Sequence, residues 1–231
     1  MLNYLFTSMS IKINVQDHIL FEDSSILVIN KPCSLMVEPD RNGHPNLLQQ
    51  VQKYERSLRP KSKEIYIQHV HRLDRPVSGI VLFARKKSVL KNLSEQFATR
   101  QVKKYYQAIT DTAPTIKEGK LENYLWKDKK NKQAVIVDSL HAEAEKVLLD
   151  YKITPYKNNF HLWDIRLHTG KYHQIRAQLA ASGCPILGDT LYGSTFVYAP
   201  NSIALHASSL YFNHPQTGDA IQIKADPLWL I

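Results

Sequence analysis

A charged nonapeptide, His71-Arg72-Leu73-Asp74-Arg75-Pro76-Val77-Ser78-Gly79, lies between two apolar runs, residues 65–70 and 79–84. Both runs predict strands, so the chain must turn within the nonapeptide. That turn surrounds one carboxylate, Asp74, with an imidazole and two guanidinium groups. Cations within a few ångströms keep a carboxylate ionised as it leaves water. A charged group in a half-buried place suits a nucleophile or a general base. A loop salt bridge uses the same residue types, and the rest of the chain decides between the two.

The chain has 231 residues, 43% of them hydrophobic, which is enough for one domain (residues 1–231) with two lobes around a cleft. Residues 1–18 read as an N-terminal extension. A net charge of +9 favours polyanionic partners, nucleic acid ahead of an acidic membrane surface. Cys33 and Cys184 form neither a CxxC pair nor a disulfide framework, which fits a reducing compartment. Residues 1–10 lack a basic n-region and a long apolar core. No run approaches the roughly 18 apolar residues of a spanning helix. The expectation is a soluble, cytoplasmic protein with no membrane partner.

Strands are expected at residues 25–30, 79–85, 102–110, 145–153, 160–168, 203–207, 210–213 and 220–224. Helices are expected at 46–58, with Asn46 as N-cap, at 88–99, and at 171–182, with Thr169 as cap and Gly183 and Pro185 as terminators. Residues 121–138 read as a hairpin whose tip is Lys127-Asp128-Lys129-Lys130-Asn131-Lys132. That tip is either a solvated turn or a finger that rests on phosphates. Many strands with few interspersed helices predict an α+β fold on an extended, mostly antiparallel mixed sheet.

Three further segments carry chemistry. In Lys103-Lys104-Tyr105-Tyr106-Gln107-Ala108, adjacent tyrosines on a strand point to opposite faces. One can be core while the other, beside a lysine, stacks on a nucleobase. In the segment 167–176, a helix would put Lys171, Gln174 and Gln178 on one side, with Ile175 and Leu179 inward. His173 and Arg176 would face one site, and the helix start beside Lys171 would offer an anion pocket. Arg176 could pair with a carboxylate from another element. His168 and His173 lack a third ligand at metal spacing, so no metal site is read. The glycines at 183, 188 and 193 imply tight turns, and the segment 184–193 is expected to shape the loop behind the site.

The string HRLDRPVSGIVLFARKKS resembles the signature of the RluA-type RNA pseudouridine synthases. KKYYQAI, LHTGKYHQIRAQLAASGCPILGDTLYG and LHASSLYFNHPQTGDAI match in the same order, and NKPCSLMV with GHPNLL matches more weakly. The resemblance covers nearly the whole chain. It implies a pseudouridine synthase catalytic fold with a central RNA cleft, and isomerisation of selected uridines in structured RNA, tRNA or rRNA. No cofactor is expected, because the reaction neither gains nor loses atoms. Position by position, Asp74 corresponds to the catalytic aspartate, Tyr106 to the tyrosine that stacks on the target base, and Arg176 to the basic partner expected to lower the aspartate's pKa. Arg72 corresponds to an arginine that fills the gap left by the base. Lys104, Lys171, His173 and Gln174 join the expected RNA-binding set. His71 is structural or phosphate-facing, and Arg75 a phosphate or surface contact. The chain departs from the pattern at Ser34, where glycine is usual, at Glu38 instead of His, and at Val77 instead of Thr. The stretch before Ile26 is too short for the S4 RNA-binding domain that many relatives carry. A monomer is expected. A non-catalytic RNA-binding protein on the same fold is the rival reading, and a metal-dependent nuclease lacks the clustered acids it would need.

Overall fold

Strand β1 (Ile19–Glu22) turns back into β2 (Ile26–Lys31), and the side chains of β2 divide between the two faces of a sheet. Leu27 and Ile29 pack on one face with Leu47 and Val51 of helix α1 (Leu47–Leu58). Ile26 and Val28 pack on the other with Val89 and Leu93 of helix α2 (Lys87–Ala98). Each such fully buried side chain contributes about 1.5–3 kcal/mol of burial free energy. The computed structural model describes residues 11–41, 43–61 and 64–231, so most of the extension read at residues 1–18 lies outside the described residues.

Asn46 caps α1 as expected: its side-chain oxygen accepts the Gln49 N–H at 3.0 Å, an interaction worth about 1 kcal/mol. The remaining elements are β3 (Gln68–His69), β4 (Ser78–Ala84), β5 (Lys103–Thr110), β6 (Glu118–Asp128), β7 (Gln133–Val137), β8 (Glu145–Pro155), β9 (His161–Leu167), α3 (Gln174–Ala181), β10 (Leu205–Asn213) and β11 (Ala220–Lys224). The strands form one sheet in the order β1-β2-β4-β10-β5-β9-β8-β6-β7, with β3 on β4 and β11 on β10. Its pairs are antiparallel except β4 with β10. This is the expected α+β fold on a mostly antiparallel mixed sheet flanked by helices. No helix among the described residues is long and apolar enough to cross a membrane.

Three local expectations change. The run at 65–70 pairs only over Gln68–His69, because β10 takes the start of the same β4 edge at Ser78 and Gly79. The strands expected at 203–207 and 210–213 are one strand, carried through a register shift between Ala207 and Ser209. Helix α3 begins at Gln174 and not at 171, and Thr169 does not cap it. The Thr169 hydroxyl instead accepts the Leu148 N–H at 2.9 Å and donates to Gln174 Oε1 at 2.9 Å. The residue before the helix is His173, in the left-handed region at φ 50°.

Candidate active site

Sheet register assembles the site. Ala207 of β10 pairs with Gly79 of β4 on one side and with Tyr106 of β5 on the other. The turn bearing Asp74 runs into β4 just before this row. Strand β5 pairs in turn with β9, Lys104 opposite Leu167, and the chain leaving β9 supplies His173 and Arg176. The row closes only with glycine at position 79. Its φ is +114°, and a Cβ there would lie 2.4 Å from the Ala207 carbonyl oxygen.

One cleft of about 210 Å³ results, and every predicted site residue except Arg75 lines it: His71, Arg72, Asp74, Lys104, Tyr106, Lys171, His173, Gln174 and Arg176. Asp74 Oδ2 lies 3.4 Å from Nη1 of Arg176 and 3.5 Å from Nε2 of His173. Arg176 is buried and forked. Its Nε and Nη2 donate to the two oxygens of Asp189 at 2.7 and 2.8 Å, which leaves Nη1 for Asp74. The guanidinium carbon sits 5.0 Å from the Tyr192 ring centroid. Such a two-point hold fixes both position and aim. Burial works against the charge of Arg176, but Asp189 outweighs it and raises the pKa above the usual arginine value.

The carboxyl of Asp74 responds differently from the expectation. Burial lifts its pKa, and Arg176, Lys31 and Arg72 pull it back only in part, so it stands above the usual aspartate value. Desolvation therefore outweighs the cations. The Lys31 ammonium lies fully buried beneath the turn and donates to the carbonyls of Leu35 at 2.7 Å, Pro32 at 3.0 Å and Arg75 at 3.3 Å. Burial lowers its pKa to about 7.

Tyr106 shares the cleft face of β5 with Lys104, while Tyr105 turns to the opposite face against Tyr211 at 5.4 Å. Burial, and then the nearby Asp74, push the Tyr106 phenol up, so it stays protonated. Burial holds the Lys104 ammonium below its usual pKa.

The other residues divide clearly. The Nε2 of His71 accepts the Leu82 N–H at 3.2 Å and its ring stacks on Phe97 at 5.0 Å, both contacts within the fold. Burial lowers its pKa to about 3. Arg75 does not line the cleft; its Nε donates to the Ser34 carbonyl at 3.2 Å. Lys171 is paired with Glu145, and its N–H goes to Gln174 Oε1; α3 itself starts three residues later, at Gln174. Gln174 is buried, its side-chain nitrogen donating to Gln178 Oε1 at 2.9 Å; it frames the cleft. His168 pairs with Asp150 at 2.6 Å.

The three departures each have a place. Ser34 adopts φ 65°, the region that favours glycine, and its hydroxyl donates to the carbonyls of Pro200 and Asn201 at 2.9 and 3.0 Å. Glu38 pairs with Arg72 at the mouth of the cleft and lies 3.5 Å from His69. Val77 is core. Reasoning from the residues missed Asp189, Tyr192 and Lys31. Asp189 and Tyr192 lie in the matching string that ends GDTLYG, and Lys31 in NKPCSLMV. Nothing else in the sequence marks them.

The family model described as RNA pseudouridylate synthase matches residues 25–181. The chain is 33% identical over 230 residues to ribosomal large subunit pseudouridine synthase C of Buchnera aphidicola subsp. Acyrthosiphon pisum, an alignment covering 92% of this chain and 68% of that protein. It is 30% identical over 209 residues to the uncharacterized RNA pseudouridine synthase YhcT of Bacillus subtilis, covering 90% and 67%. The solved structure of human RNA pseudouridylate synthase domain containing 4 superposes with a TM-score of 0.76 at 23% identity, covering 92% of this chain and 89% of that one, which is a likeness of fold. With sequence, fold and cleft in agreement, the chain belongs to the RNA pseudouridine synthases, isomerases that convert uridine in RNA to pseudouridine.

Proposed function

We propose that Asp74 is the catalytic carboxylate and that Tyr106 and Arg176 complete the reacting site. One observation carries the reading: three side chains from separate elements, Asp74 before β4, Tyr106 on β5 and Arg176 on α3, meet in one cleft with the guanidinium 3.4 Å from the carboxylate. The reaction breaks the N1–C1′ bond of uridine, turns the uracil and joins C5 to C1′. The proton on C5 is lost, N1 gains one, and no redox partner enters. Asp74 serves as nucleophile or base. Its raised pKa reflects a poorly hydrated carboxylate, more reactive than one in water. Arg176 aims it, and the neutral His173 closes the side of the site. Tyr106 presents its ring to the extruded base; stacking of this kind is worth about 1–3 kcal/mol and offsets part of the few kcal/mol that extrusion costs. Arg72, once it leaves Glu38, is placed to fill the gap in the RNA stack.

The substrate is a structured ribosomal or transfer RNA, and the cleft that would take its target uridine is lined by Arg72, Lys104 and Arg176 beside Asp74. The names of the ribosomal large subunit relatives favour ribosomal RNA. The test maps pseudouridines in total RNA from cells with and without the gene. One or a few positions should lose the modification, and the wild-type gene but not Asp74→Asn should restore them. An unchanged map would overturn the assignment. Purified protein should remain active in excess chelator and leave RNA length and mass unchanged; strand cleavage would favour a nuclease.

A further inference from the structure

The phenol of Tyr192 joins the basic hairpin to the reacting site. Its oxygen accepts the N–H of Ala134, on hairpin strand β7, at 2.7 Å, and lies 3.0 Å from Nδ1 of His173. The phenol has one hydrogen, and burial and His173's neighbours keep that imidazole neutral, with a pKa near 3. An oxygen that accepts from Ala134 and donates its own hydrogen to Nδ1 sets the ring proton of His173 on Nε2, facing Asp74; that is the arrangement a relay through Tyr192 requires. The Tyr192 ring meanwhile carries the Arg176 guanidinium. Tyr172 is a second strut. Its hydroxyl donates to the Lys132 carbonyl at 3.0 Å, and its ring stacks on His173 at 3.8 Å.

The hairpin tip is built, not slack. Asp128 is buried and accepts the N–H groups of Lys130 and Asn131 at 3.0 Å each, and the Asn131 amide at 2.6 Å. Lys127, Lys129, Lys130 and Lys132 stand exposed on it, and none enters an ion pair among the described residues. Lysines elsewhere on β6 and β8 differ: Lys120, Lys146 and Lys152 pair with Asp150, Glu122 and Glu118. The Lys127 ammonium sits 4.6 Å from the Tyr172 ring centroid, and the charge of Lys129, Lys130 and Lys132 is gathered on a tip bolted to the cleft.

We infer that this hairpin is a docking arm for the RNA backbone and that Tyr192 relays its seating to His173 and Arg176. The inference rests on the uridine-isomerase reading of the cleft. Tyr192 is a positioning residue, and the arm's partner is a run of phosphates. The test measures RNA affinity against salt and the single-turnover rate at saturating RNA. Replacing Lys129, Lys130 and Lys132 together by Ala should make the slope of log affinity against log salt shallower by about 2. Unloading the arm in this way should also slow the saturated rate several-fold. Tyr192→Phe keeps the ring on Arg176, should leave affinity within about two-fold, and should slow the rate about ten-fold through the lost tautomer control. The combined variant should be no slower than Tyr192→Phe alone. An unchanged salt slope in the lysine variant would end the docking arm, and rate losses that multiply would end the relay. Because the lysines are exposed, their variant stays decisive even if Tyr192→Phe lowers the Tm. Turnover by Asp74→Asn would overturn the reading of the cleft instead, so the two failures are distinguishable.

Discussion

Arg176 serves two carboxylates with different parts of one fork. Asp189 takes Nε and Nη2 and fixes the plane; Asp74 receives what is left, a single N–H at longer range. This division predicts that Asp189 matters for rate although it does not line the cleft. Asp189→Asn removes the opposite charge and replaces one acceptor by a donor. Kcat should fall about a hundred-fold while KM for RNA changes little, since aim is lost and RNA-facing groups are not. Stability should drop by about 3 kcal/mol, the usual result of leaving one buried ion without its partner. Steady-state kinetics and urea unfolding check both, and wild-type kcat in this variant would contradict the role. Asp74 and Arg176 stand 102 positions apart, and Asp189 lies 13 beyond Arg176 on a loop. No periodicity links such residues. Local chemistry marked Asp74, but the pairing needed the family resemblance or the structure.

Among the elements, the junction of β4 with β10 controls the site. Gly79 holds φ +114° with Ala207 pressed against its Cα. Gly79→Ala would meet backbone atoms at 2.4 and 2.5 Å, where no flexible side chain can yield. The strands would have to part, displacing Tyr106 from the Asp74 turn. The variant should lose more than about 2 kcal/mol of stability and most of its activity, read by thermal unfolding and turnover together; a stable, active Gly79→Ala protein would refute the junction's role. Elements with a strong local pattern were legible: the Asn46-capped helix, the apolar strand before α2, and the hairpin of β6 and β7. Those set by long-range partners were not. Ser208 and Ser209 read as a break, yet β10 continues because the shift after Ala207 keeps its ladder with β5 and Ser209 donates to the Ile223 carbonyl at 3.0 Å. Thr169 looked like a cap, but Leu148 and Gln174 engage its hydroxyl. The tip lysines left two readings open because charge on a turn looks the same whether it meets water or phosphate.

Across the whole molecule, several histidines are buried without charge. Burial lowers His71 and His173 to about 3 and His206 to about 4, each well below the usual 6.5. His71 must stay neutral to accept the Leu82 N–H. Below pH 6.5 the unfolded chain therefore binds protons that the folded chain refuses, so stability is lost as pH falls from about 6.5 towards 4. Each of these groups contributes up to about 2 kcal/mol of that loss at pH 5. Asp74 has the opposite sign: its raised pKa means that the folded state takes up a proton first, which offsets a little of the loss. Urea unfolding at pH 7.5 and pH 5 should show a drop of several kcal/mol, and a flat profile would contradict the burial of neutral imidazoles. The same Asp74 shift predicts that removing its charge does not weaken the fold at neutral pH. The most direct measurement is a single-turnover pseudouridine assay on the mapped RNA with Asp74→Asn, run beside RNA binding and thermal unfolding. The variant should unfold no earlier than wild type, bind RNA as tightly and form no pseudouridine; product at the wild-type rate would remove Asp74 from the reaction.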